Sequence, residues 1–170
     1  GSAWFGALAA SLYAPVHIVA AVGYDFTDED LAILHSRKID TTGLHFCRDR
    51  PTFAWSARYG EGFRTRVTTG LHLNALEEFE PVIPPAARQC PYAMLCNFEP
   101  GLQRQAMLQL PDHTFVMLDT IDFWIEQKRE EVMALIPRCG LLLLNDEEAA
   151  LLTGHKSIKE AGHALLDAGA

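Results

Sequence analysis

Several polar residues stand directly after apolar runs, where they could do chemistry. The clearest are in Asn145-Asp146-Glu147-Glu148, which follows four consecutive leucines. A buried strand that emits an asparagine and, three positions on, a glutamate in the first helical turn places an amide and a carboxylate beside free backbone N–H groups. That set can hold a hydrated Mg²⁺ and orient phosphate. The same spacing equally describes an N-cap, Asn145, with its capping-box partner Glu148. Asp119-Thr120 reads in the same two ways, as a carboxylate at a strand end or as a helix cap. Asn97 ends another apolar run and is the weaker candidate, and Asp25, between a strand and a helix, reads as structural.

A second feature is electrostatic. Arg48, Arg50, Arg58, Arg64 and Arg66 are opposed locally only by Asp49 and Glu61, an excess of three positive charges in a chain whose net charge is −8. The overall acidity disfavours nucleic acid and anionic membrane surfaces as partners. The arginines suit an anionic ligand, a subunit contact or a solvated face. Other chemistries lose support by absence of motif: the chain has no G-x-x-x-x-G-K-[ST], G-x-G-x-x-G or G-x-S-x-G, and no H-x-x-x-H pair. Cys47, Cys90, Cys96 and Cys139 form no C-x-x-C pair, so reduced, buried thiols in a cytoplasmic protein are expected.

The elements that must position these residues follow from periodicity. A helix is expected over Ala3 to Leu12 and a short buried strand over Val16 to Val22. Thr27 and Asp30 form a capping-box-like start to a helix running to about Lys38, which Ile39 to Gly43 end. From Leu44 to Thr69 the period changes to two: Phe53, Trp55, Ala57 and Tyr59 share one face, Gly60-Glu61-Gly62 makes a turn, and Phe63 to Thr69 returns. Leu71 to Arg88, with three prolines, reads as a surface connection. Then a unit repeats three times: strands Tyr92–Cys96, Thr114–Leu118 and Leu141–Leu144 each lead into a helix, and Ser157 to Leu166 forms a last one. Strands alternating with helices imply a parallel sheet, so the class is α/β with a small β excursion. In such sheets ligands bind beyond the carboxyl ends of the strands, where Asn97, Asp119 and Asn145 stand.

The composition agrees. With 170 residues, 49% apolar and 21% charged, the chain can bury a real core without staples. Its longest early apolar stretch, Val16 to Val22, is far short of the ~20 residues of a membrane helix, so no bilayer is spanned.

The stretch Leu144 to Gly154, LNDEEAALLTG, resembles the N-x-x-E-A-x-x-L-T-G segment of the ribokinase-like (PfkB) carbohydrate kinases. Three more pieces follow that family's order: Gly1-Ser2-Ala3 as the remainder of an early glycine pair, Val22-Gly23-Tyr24-Asp25-Phe26 as V-G-x-D-x, and Ile39 to Gly43 as G-I-D-x-x-G. The resemblance spans nearly the whole chain. It implies a ribokinase-like three-layer sandwich with a parallel-strand core, incomplete here, residues 1–170 forming a partial kinase domain and 44–70 its β lid, with Phe53, Trp55 and Arg58 as lid residues. It implies ATP and Mg²⁺ as cofactors, with Asn145 and Glu148 organising Mg²⁺ and phosphates, Glu148 as a metal-associated residue acting through water. Gly1 and Ser2 would lie near a small-molecule sugar or nucleoside, with Asn97 and Asp119 as further substrate-binding candidates. A homodimer through the lid is a further expectation. Trp4 and Phe5 stand where the family commonly has a substrate-contacting asparagine, and Asp119 to Trp124 with Phe53-x-Trp55 resembles a branch related to adenosine kinases.

Family members are longer and carry a G-A-G-D motif whose aspartate is the general base. The 170 residues contain no such motif, so no catalytic residue is assigned within them. The expectation is an internal, by itself inactive fragment of a phosphotransferase. The alternative is a non-catalytic shortened paralogue that binds a ligand or dimerises.

Overall fold

The computed structural model describes residues 1–63 and 66–169. The chain divides into two compact units, Ala3–Glu80 with Gly1, and Pro81–Ala170 with Ser2.

In the first unit, helix α1 (Ser2–Ala10) precedes strand β1 (His17–Val22), helix α2 (Asp28–Ser36) and strand β2 (Asp40–Phe46). The expected box at α2 forms: Asp30 N–H donates to Thr27 Oγ1 (3.2 Å) and Thr27 N–H to Asp30 Oδ2 (2.9 Å), satisfying two groups the helix start leaves open. β1 and β2 pair in parallel, His17 opposite Asp40 and Val22 opposite Phe46. Residues 39–43 were expected only to end a helix, and Leu44–Phe46 to begin the hairpin. Both assignments are corrected, because β-branched Thr41 and Thr42 extend the chain and α2 supplies the crossover that a parallel pair requires. Ala7, Ile18, Leu34 and Ile39 form the core, with Trp4 and Phe26 packed against it. Trp4 meets Phe26 edge to face at 5.7 Å, a packing role for that departure from the family pattern.

The hairpin consists of β3 (Ala54–Tyr59) and β4 (Arg66–His72), antiparallel, with Trp55 opposite Leu71 and Arg58 opposite Val67. Its turn includes Gly62 at φ 67°, so the Gly60-Glu61-Gly62 expectation holds, while β4 runs past Thr69 to His72. Phe53 lies just before β3. The stretch Leu71–Arg88 is not a plain surface connection: Ala75, Phe79, Ile83 and Ala87 are buried. They recur every fourth residue, but Pro81, Pro84 and Pro85 rule out the continuous helix that such spacing would suggest, which is why the pattern does not reveal them.

The second unit holds β5 (Tyr92–Leu95), β6 (Phe115–Asp119) and β7 (Leu141–Leu143) in the order β5-β6-β7, all parallel. Helices α3 (Pro100–Met107) and α4 (Asp122–Leu135) are the connections, and α5 (Asp146–Thr153) and α6 (Ile158–Asp167) follow β7. Val116, Leu118, Met107, Leu135 and Cys139 form one cluster, and Ile125, Val132, Ile136, Ala149, Leu152, Ala161 and Leu165 a second. Tyr92, Met94, Phe115, Leu141 and Leu143, alternate residues of the three strands, are exposed. A parallel sheet ordinarily has both faces covered, so this core is incomplete, as expected.

All four cysteines are free, but only Cys139 is buried, correcting the expectation that all are. Its burial pushes the thiol up to about 11 against the opposing effect of Arg138. No helix among the described residues is long and apolar enough to cross a membrane.

Candidate functional site

The carboxyl ends of β5, β6 and β7 bring Asn97, Asp119, Asn145 and Glu148 into one neighbourhood of the second unit. Asp119 is the last residue of β6, and its Oδ2 accepts the Asn97 backbone N–H at 3.2 Å. Asn145 caps α5: its Oδ1 accepts from Glu148 N–H (2.8 Å), and Glu148 Oε2 accepts from Asn145 N–H (3.0 Å). The capping box is therefore real. It does not exhaust these residues, because Asp119, Asn145 and Glu148, with Leu142 to Leu144, also line an open cavity of about 340 Å³.

Burial sets the electrostatics. Glu148 is only 6% exposed, unusual for a carboxylate at the first turn of a helix, where solvent is ordinarily close. Burial raises the Asp119 carboxyl above its ordinary value, and the backbone N–H groups of Asn97 and Thr120 only partly offset it. Thr120 is 1% exposed, and its Oγ1, like Asn97 Oδ1, is buried with no hydrogen-bond partner. Orphaned polar atoms beside a carboxylate-lined cavity fit a polar ligand.

Donor chemistry selects the ion. Carboxylate and amide oxygens suit a hard cation, and Mg²⁺ keeps several waters while using one or two carboxylates plus phosphate oxygens. Among the described residues no group of three or more His, Cys, Asp or Glu side chains could hold a metal alone. Asn145 and Glu148 fit Mg²⁺ in this shared, water-rich manner and not as a closed cage.

Gln103 was not singled out from the sequence. It is 2% exposed and donates Nε2–H to the carbonyls of both Cys96 and Asp119, each at 2.9 Å. The signal was present: Pro100, Gln103 and Met107 form the buried stripe of α3, and a carboxamide on an apolar stripe needs partners. Glu99 caps the same helix through Leu102 N–H (2.8 Å) and pairs with Lys128, where α4 kinks at φ −141°, ψ 40°. Burial acts to raise Glu99, but the Lys128 and Leu102 bonds outweigh it and hold the carboxyl below its ordinary value.

Of the remaining candidates, Ser2, exposed and grouped with the second unit, has its side chain hydrogen-bonded to Cys96, the residue before Asn97, and so stands beside these strand ends. Gly1 is exposed as the N-cap of α1. Trp55 (38% exposed) and Tyr59 (49%) lie on β3 with exposed Arg58. These two ring side chains of the ribbon are thus partly exposed. Of the arginine group, Arg50 pairs with Glu77 and Glu78, Arg48 is exposed, and Arg64 lies outside the described residues.

The V-G-x-D element has a structural job. Asp25 Oδ1 accepts from Thr52 N–H (2.6 Å) and Thr52 Oγ1–H (2.7 Å), and Thr52 Oγ1 accepts from Gly23 N–H (2.8 Å). A Cβ on Gly23 would lie 2.1 Å from Pro51 C, so only glycine lets residues 50–52 approach. Gly43, of the G-I-D-x-x-G element, is constrained similarly: a Cβ there would lie 2.6 Å from Ile18 O.

No protein-family model and no curated protein matches the sequence. Solved structures do. A fructokinase from Vibrio cholerae O395, bound to fructose, ADP and calcium, gives a TM-score of 0.74 at 19% identity, covering 99% of this chain and 59% of that one. An adenosine kinase from Sinorhizobium meliloti gives 0.73 at 16%, covering 94% and 52%. The PfkB protein from Polaromonas sp. JS666 gives 0.73 at 16%, covering 99% and 63%. The chain has a ribokinase-like fold, incomplete in its core, and spans somewhat more than half the length of these structures.

Proposed function

We propose that the whole protein is an ATP-dependent phosphotransferase, a sugar or nucleoside kinase, and that this chain supplies the strand-end crevice that organises its metal and phosphates. The observation that carries the reading is Glu148: a carboxylate 6% exposed that lines a cavity with Asp119 and Asn145. When bound, Mg²⁺ would neutralise charge on the transferring phosphoryl group. Asn145 and Glu148 would hold it through water, each fixed by the other through the capping box. Asn97 and Asp119 are proposed to bind substrate at the neighbouring strand ends, and Gly1 and Ser2 to lie near the acceptor. The β3–β4 hairpin is proposed as a lid that excludes water, with Phe53, Trp55 and Arg58 as its contact residues.

The acceptor is proposed to be a small sugar or nucleoside. The likeness to a fructokinase and an adenosine kinase supports both classes. The test is phosphotransfer by the whole protein, with MgATP and a panel of sugars and nucleosides. Transfer to at least one hydroxyl compound is expected, and none across the panel refutes the reading.

Partly exposed Trp55 and Tyr59 on one face of a two-stranded ribbon favour a homodimer through the hairpin, since such ribbons are marginal alone. Sedimentation as a monomer at micromolar concentration would refute that part. Four free cysteines suit the reducing cytoplasm proposed as its location, which localisation of the tagged whole protein tests.

A further inference from the structure

We infer that Gln103 is the positioning residue of the strand-end crevice: its carboxamide spans the ends of β5 and β6 and thereby holds the Asn97 N–H on the Asp119 carboxylate. This rests on the kinase reading only for what the crevice does, and the geometry stands without it.

The ladder between β5 and β6 ends at Leu95 opposite Leu118. Beyond that pair the chains must separate, because Asn97 leads toward α3 and Asp119 continues beside Leu143 of β7. The carbonyls of Cys96 and Asp119 stand at this fork. Gln103 reaches them from the buried stripe of α3 and gives one amide hydrogen to each, both at 2.9 Å. Its orientation is chemically dictated, since the carboxamide oxygen cannot face two carbonyls. A side chain 2% exposed that bonds two strands at once fixes their spacing much as a further ladder rung would.

The consequence falls on the next bond outward. Asn97 N–H, in the same planar peptide group as the Cys96 carbonyl that Gln103 holds, donates to Asp119 Oδ2 at 3.2 Å. That distance is already at the long end of useful geometry, so a small widening of the fork breaks it. Asp119 would then lose one of the two backbone donors that offset its burial, and its carboxylate would no longer be fixed where it lines the cavity. No shorter residue does this work. Asparagine lacks the methylene needed to reach both carbonyls, and methionine matches the length but donates nothing.

The test is Gln103→Met in the whole protein, with two readouts. The first is the Asn97 amide proton resonance, which lies downfield while bonded to a carboxylate. It should move upfield in Gln103→Met, and Asp119→Asn, as a control, should move it in the same direction. The second is phosphotransfer, where kcat/KM for the acceptor should fall by about tenfold, chiefly through KM because Asp119 is proposed to bind substrate, the size of one lost hydrogen bond to a charged group. Gln103→Asn should repeat both effects, and it supplies the answer if Gln103→Met does not fold. An unmoved Asn97 resonance in a folded variant overturns the assignment. So does an upfield change accompanied by full activity, which would leave Gln103 a core residue only. A wild-type protein that transfers no phosphoryl group refutes the kinase reading, while the Asn97 resonance still decides whether Gln103 holds the fork.

Discussion

Glu148→Gln separates the two roles that Glu148 combines. Glutamine keeps an acceptor of the same reach, so the bond from Asn145 N–H, 3.0 Å in the structure, survives. What changes is charge. A bond to a charged acceptor is stronger than one to a neutral acceptor by about 1 kcal/mol, and the favourable interaction of a carboxylate with the helix N-terminus contributes roughly 0.3–1 kcal/mol. Against these stands relief from burying a carboxylate that is only 6% exposed, which in proteins costs several kcal/mol per ion before compensation. The terms oppose one another, so the net stability change should be within about 1 kcal/mol, a melting shift of roughly 2–4 °C for a chain of this size. Metal binding has no such cancellation. Loss of a carboxylate that holds a hydrated metal should weaken apparent Mg²⁺ affinity about 10- to 100-fold. Initial rates of the whole protein against Mg²⁺ at fixed ATP, paired with thermal melts, measure both. A Mg²⁺ dependence unchanged within about twofold, together with a melting temperature lowered by more than about 4 °C, would leave Glu148 a cap and nothing more.

Three further outcomes follow from the same geometry. Gly23→Ala places a methyl group 2.1 Å from Pro51 C and 2.4 Å from Arg50 O, both backbone atoms that cannot swing aside, so a loss of about 3 kcal/mol is expected. Chemical denaturation measures it, and a loss below about 1 kcal/mol would contradict the close packing. Asp25 is desolvated slightly, which acts to raise its pKa, but the Thr52 bonds prevail and lower it. The stability it contributes is therefore present above the unfolded value near 3.9 and lost as pH falls through the lower folded value. Melts should show Asp25→Asn less stable than wild type at neutral pH, with the gap closing below about pH 4, and a gap independent of pH would refute the linkage. Asp119 has the opposite sign: burial raises it in the folded chain, so its penalty sets in as pH rises past the unfolded value. Asp119→Asn should therefore melt higher at neutral pH while losing phosphotransfer, and a lower melting temperature would show that the carboxylate is structural.

Local devices were legible and non-local ones were not. Thr27 with Asp30, and Asn145 with Glu148, announce their capping boxes because every atom involved lies within four residues. The three strand-to-helix repeats of the second unit were equally clear, since alternating period and strand-end polar residues suffice. The parallel partner of β1 was missed because Asp40–Phe46 carries Thr41, Thr42, Gly43 and His45 with no clean alternation, and its pairing is decided by residues about twenty positions away. The anchors in Leu71–Arg88 escaped because Pro81, Pro84 and Pro85 break the helix that their four-residue spacing would otherwise suggest. Gln103 escaped because its partners are backbone carbonyls on two different strands, which no spacing encodes. For the site, Asn97, Asp119, Asn145 and Glu148 were all named from their places after apolar runs, and the structure brings these four together. Asp119-Thr120 was read as a strand-end carboxylate or a helix cap; the N-cap of α4 is Ile121, and the Thr120 hydroxyl is among the buried polar atoms around Asp119.

The charge of the crevice limits what can enter it first. Asp146, Glu147 and Glu148 occupy the first turn of α5, and Asp119 shares the cavity with Glu148. A bare helix N-terminus attracts an anion by roughly 0.3–1 kcal/mol, rising to about 2 kcal/mol in buried geometries. A phosphate oxygen brought within about 4 Å of a single carboxylate is opposed by roughly 4 kcal/mol at an effective dielectric of 20. Repulsion wins, so the N-terminus of α5 is not a phosphate cradle in its own right. A divalent cation reverses the balance, because it is attracted by the same carboxylates and then presents positive charge to the phosphates. On the proposed reading the crevice would therefore accept nucleotide only together with its metal, and Asn145, neutral beside Asp119 and Glu148 in the cavity lining, is the group that would face phosphate without opposing it.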